Sequence, residues 1–145
     1  MALTGDKVVA TATVSDTQTT VGTTTSTSFT ATLTGGTTCG VAFVAPPSGQ
    51  VIVFNTAGMA NSEATYTFTG FEVRTGGVVG SGTVFLAADD TRSLRVAEDN
   101  FIRYTVAHLV TGLTAGSTYN VRQMFRTNAG TLNVSEKHLI VQPQP

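Results

Sequence analysis

The 145-residue chain has no tryptophan, a single cysteine, two histidines and only 12% charged residues, about half the share of an ordinary soluble domain. Each shortage excludes something. A lone Cys39 rules out an internal disulfide, and its place in an apolar run with Val41 and Phe43 reads as a small buried hydrophobe with no His or Arg close by to activate it. No apolar run approaches the roughly 20 residues that a membrane helix needs. The start, Met1 to Lys7, lacks the basic and apolar stretches of a secretory signal, so the chain is expected to be made and kept in a cytoplasm. Net charge is −1 with no basic cluster, so neither nucleic acid nor membrane is an expected partner.

What replaces the charge is mainly threonine, with 15 glycines and four prolines. Threonine is β-branched, stiff in helices and well suited to a pleated surface. Short alternating runs recur between turn signals: Gly35-Gly36, Pro46-Pro47-Ser48-Gly49, Gly76-Gly77, Gly80-Ser81-Gly82, Asp89-Asp90, Thr114-Ala115-Gly116 and Asn128-Ala129-Gly130. Those runs predict about ten strands, over 8–14, 26–34, 38–45, 50–54, 64–75, 83–88, 93–97, 101–110, 117–127 and 131–142. Leu86 to Asn100 reads as a hairpin, not a helix, because Asp89-Asp90-Thr91 breaks it before the alternating Leu94 and Val96. Short turns favour antiparallel neighbours. The fold class is therefore all-β: an antiparallel β-sandwich, either fibronectin III/Ig-like or jelly-roll-like, in one domain over 1–145. Residues 1–25 form a Thr-rich amino-terminal arm or edge strand.

Two segments carry finer detail. In the run from Tyr119 to Arg126, Tyr119, Val121 and Phe125 point to the core, and Asn120, Arg122 and Arg126 away from it. The final strand changes parity between Leu132/Val134 and Leu139/Val141, which predicts a bulge near Glu136 to His138. Gly112 to Arg122 resembles the corner of fibronectin-type sandwiches, with Leu113 as a core plug and the Tyr119 hydroxyl bonded back to the loop.

No constellation for catalysis emerges. His108 sits in an apolar strand run, no nucleophile elbow is present, and the glycine cluster 76–82 matches no phosphate-binding spacing. Catalytic, cofactor and metal residues are expected to be none, although Asp89, Asp90, Glu98, Asp99 and Asn100 could offer oxygen ligands if two loops met. Phe54, Tyr66, Phe68, Phe71 and Tyr104 could stack on sugars, but their alternating positions point first to packing. Charge is uneven: between Lys7 and Glu63 only Asp16 is charged, while all six arginines lie from Arg74 onward. Interfaces are depleted in Lys and enriched in Arg, so Arg74, Arg95, Arg103, Arg122 and Arg126 are the candidate interface residues.

Three segments, Gly36 to Gly49, Phe71 to Val84 and Gly112 to Arg122, together resemble small virion structural proteins of tailed bacteriophages of actinobacteria, over roughly residues 36 to 143. The resemblance implies a β-sandwich protein of the mature particle, assembled in the host cytoplasm. On that footing the chain is expected to be a capsid decoration protein, a homotrimer bound to the major capsid protein. The alternatives are a tail or head-fibre component, or a displayed receptor- or glycan-binding module.

Overall fold

A computed structural model describes residues 11–145. Ten strands form: β1 (Val14–Gln18), β2 (Gly22–Thr24), β3 (Gly40–Val44), β4 (Val51–Asn61), β5 (Thr67–Thr75), β6 (Val84–Leu86), β7 (Leu94–Val96), β8 (Ile102–Val110), β9 (Thr118–Thr127) and β10 (Leu132–Pro143). They make two antiparallel sheets. The first runs β1-β10-β4-β8, with β2 also on β10; the second runs β3-β9-β5-β6, with β7 also on β5.

This order decides between the two expected sandwich types. Immunoglobulin-type sandwiches place several sequence neighbours side by side in one sheet. Here the chain changes sheet at β2 to β3, β3 to β4, β4 to β5, β7 to β8, β8 to β9 and β9 to β10. With β1/β2 and β6/β7 each counted as one interrupted edge, two four-stranded sheets wind as a jelly roll. The fibronectin-like corner is nonetheless present locally: Leu113 is buried, and the Thr114 N–H donates to the Tyr119 hydroxyl at 3.0 Å.

Three sequence expectations need correction. The segment 26–34 is irregular, touching its neighbours through the isolated bridges Thr30 to Phe125 and, at its end, Thr34 to Thr23. Its hydroxyls compete with the ladder, since the amides of Ser26, Ser28 and Thr32 donate to the side chains of Thr24, Ser26 and Thr30. Leu86 to Asn100 is not a hairpin: β6 and β7 pair with opposite ends of β5 and not with each other. A 3-10 turn at Asp90–Arg92, capped by the Asp89 carboxylate, separates them. The first expected strand begins later, at Val14, and Val8 to Ala10 lie outside the described residues.

The inward faces bury two apolar clusters. One gathers Phe43, Phe71, Val73, Tyr119, Val121, Leu139 and Val141; the other gathers Leu33, Met59, Phe125, Leu132 and Val134. A polar bridge also spans the sheets. Gln123 of β9 donates through Nε2 to Asn55 Oδ1 at 2.6 Å and to the Thr56 carbonyl at 2.8 Å. Asn55 of β4 donates through Nδ2 to the carbonyls of Thr69 and Gly70 on β5, each at 3.1 Å. Both side chains are fully buried, where an unmade hydrogen bond is costly. Asn55→Ala removes an acceptor from Gln123 and the donor to the Thr69 and Gly70 carbonyls, and is expected to lower the free energy of unfolding by about 2 kcal/mol in urea titration; an unchanged midpoint would show that the bridge contributes nothing.

Candidate functional site

The two outer faces of the sandwich differ. On the second sheet the outward residues Phe68, Gly70, Glu72, Asn120 and Met124 are buried, because loops and long side chains cover them. Asn120 accepts from the Gly80 N–H at 2.9 Å and donates to the Gly76 carbonyl at 3.0 Å, which ties the glycine-rich loop down onto β9. Arg126 lies 3.8 Å over the Phe68 ring, donates to Asp90 at 2.8 Å and faces Phe29. Beside it, Glu72 Oε1 accepts from Arg74 Nε at 2.7 Å and Arg122 Nε at 2.6 Å. Burial opposes ionisation of Glu72, but the two guanidinium groups outweigh it and hold the carboxyl below its ordinary range.

The candidate arginines therefore do not share one surface. Arg74, Arg122 and Arg126 are committed to carboxylates of their own chain. Arg95 lies over the Tyr66 ring at 4.5 Å and has no carboxylate partner among the described residues. Arg103 is on the other sheet, paired at 2.9 Å with Glu136. Of the oxygen ligands considered for a cation, Asp89 caps the 3-10 turn and Asp90 takes Arg126. No group of three or more His, Cys, Asp or Glu suited to a metal occurs among the described residues.

On the first sheet the outward face carries a groove of about 360 Å³, lined by Thr17, Thr19, Thr56, Arg103, Thr105, Glu136 and His138. The predicted bulge builds it. The register of β10 against β4 shifts between Ser135 and His138, and Glu136 takes a positive φ of 46°, uncommon for a residue with a side chain. That shift leaves Glu136 exposed and turns Lys137 inward. Sequence reading named Arg103 from this groove but missed its setting, which joins residues from four strands far apart in the chain. The available signal was outward parity on β1, β4, β8 and β10.

The histidines divide. His108 is half-buried with its ring 6.0 Å from Phe71, and burial pushes its pKa down, aided by Arg92. His138 lines the groove. Inside the sandwich, Lys137 is fully buried and donates to the Thr20 carbonyl at 3.0 Å. Burial lowers its pKa against the opposing influence of Cys39 and Asp16. Cys39 is also fully buried, and burial first, then Asp16, pushes its thiol up to about 12.

A third feature is an apolar rim at the end of the sandwich that holds the β3–β4, β5–β6 and β8–β9 connections. Val44, Val78, Val84 and Phe85 are 45%, 68%, 43% and 38% exposed. Val44 and Phe85 meet the start of β9, with Val44 opposite Thr118 and the Phe85 ring edge-on to Tyr119 at 5.4 Å; Val78 lies in the β5–β6 connection, which Gly76 ties to the Thr118 carbonyl, and Val84 opens β6 opposite Arg74.

No protein-family model and no curated protein matches the chain. Among solved structures it is similar to the enzymatically active domain of tailspike protein 4 of bacteriophage CBA120, at 14% identity and a TM-score of 0.36. The alignment covers 90% of this chain but spans only 19% of that one. The jelly-roll assignment rests on the strand pairings alone.

Two substitutions test the buried charges. The stabilising contribution of Glu72 is complete above its ordinary value of 4.5 and is lost as pH falls through the lower folded value. Glu72→Gln should cost about 2 kcal/mol at pH 7 and flatten the acid limb of a urea-midpoint profile. For Lys137 the slope has the same sign at higher pH, although here burial disfavours the charged form. Its unfolded form binds a proton that the folded form gives up, so wild-type stability rises with pH toward 10.5. Lys137→Met should remove the lysine's share of that rise; identical slopes for wild type and variant, which share the Cys39 thiol, would contradict the assignment.

Proposed function

We propose that the chain is a structural component of a tailed-phage particle, a capsid decoration protein that acts by binding and not by catalysis. It seats on the major capsid protein as a homotrimer, within a virion assembled in the host cytoplasm. The observation that carries this reading is the set of exposed apolar side chains Val44, Val78, Val84 and Phe85 at one end of the sandwich, on a chain with few charges to keep such surface in water. Contiguous exposed apolar surface marks a partner, and adding buried area across shell subunits resists outward pressure. The virion resemblance of the three sequence segments supports the same reading.

Among the arginines, Arg95 is placed to meet a neighbour's carboxylate, because it lies on the face of Tyr66 and forms no salt bridge among the described residues. The others already serve their own chain. A tail or head-fibre position is the alternative, and it differs in stoichiometry. Cryo-electron microscopy of the particle that carries the protein should find hundreds of copies on the shell; a few dozen or fewer confined to the tail or a fibre would reject decoration. Val78→Asp combined with Val84→Asp should leave the circular dichroism spectrum intact and weaken binding to empty capsids at least about tenfold, roughly 1.4 kcal/mol. Undiminished binding would remove the rim from the interface.

A further inference from the structure

The groove on the first sheet lies on a different surface from the apolar rim, and its chemistry is different. We propose that it binds a neutral carbohydrate one or two sugar rings long. This goes beyond the particle reading and would stand if that reading failed.

The argument starts from the functional groups. Thr17, Thr19, Thr56 and Thr105 present hydroxyls that both donate and accept. Arg103 contributes only donors and Glu136 only acceptors, and their side chains, paired at 2.9 Å, remain 60% and 56% exposed. His138 adds a ring nitrogen of each kind when neutral. A sugar ring carries adjacent hydroxyls, each donor and acceptor at once, and needs this mixture at short spacing. Anions would meet the Glu136 carboxylate and cations the Arg103 guanidinium, while an apolar molecule would strip the hydroxyls of water without replacing it.

Size and rigidity agree. At about 360 Å³ the groove is at the small end of small-molecule sites, which run from about 300 to 1,000 Å³. Its polar groups stand on four strands whose spacing is fixed at about 4.8 Å by the sheet. The Thr56 and Thr105 hydroxyls are already joined at 2.6 Å, and the bulge holds Glu136 out toward Arg103. Little ordering remains for a ligand to impose. Phe101 is 52% exposed and approaches Gly58 on β4, next to Arg103 in register. It offers a ring on which a sugar's C–H face can rest.

The test uses the full ¹⁵N-labelled chain, titrated with glucose, galactose, mannose, arabinose, maltose, cellobiose and lactose, and in parallel with glucuronate and inorganic phosphate. At least one neutral saccharide should shift the amides of Thr17, Thr19, Thr56, Thr105 and His138 saturably, with a Kd on the order of 1 mM. Arg103→Ala and Thr105→Val, both at exposed positions, should each weaken it about tenfold while the remaining spectrum stays unchanged. Three results overturn the proposal: no saturable shift from any neutral sugar at concentrations well above that Kd, shifts from phosphate or glucuronate alone, or full affinity in both variants.

Discussion

With a single cysteine no disulfide can join the two sheets, so side chains hold them together, and apolar packing tolerates sliding. The Asn55–Gln123 bridge does not. It ties one position on β4 to one on β9 and to two carbonyls of β5, and a relative shift of the sheets would leave buried amides without partners. Apolar clusters lie on either side of it, one around Phe71 and one around Phe125. Because side chains alternate along a strand, fixing one row fixes every row. The outward positions that line the groove and the inward positions that fill the core follow from the same registration.

The bulge in β10 breaks that alternation. It directs Glu136 and His138 to the groove while Lys137 enters the core. A buried amine and a non-glycine residue at positive φ are both unfavourable in isolation. They occur on consecutive residues beneath the groove, which fits a strand shaped by what its outer face must display more than by stability alone.

Much of the fold was legible because strand parity is a local property. The inward set of Tyr119, Val121 and Phe125, the bulge near Glu136 and the Leu113/Tyr119 corner each follow from a few neighbouring residues. The errors arose where local and distant partners compete. Hydroxyls in 26–34 satisfy the backbone from within the segment, and β6 and β7 prefer opposite ends of β5 to each other. The site was less legible for a related reason. The clustering of arginines in the later sequence suggested one surface, yet Glu72 and Asp90 draw three of them onto the second sheet, while the groove draws single residues from strands far apart.

The sealed position of Cys39, the sole cysteine of the chain, has a practical side. A thiol held near a pKa of about 12 stays silent toward maleimides and related electrophiles at neutral pH. Any cysteine introduced on the surface would then be the single conjugation point of the native molecule, so a fluorophore or cargo could be attached at one chosen address without first removing the native residue.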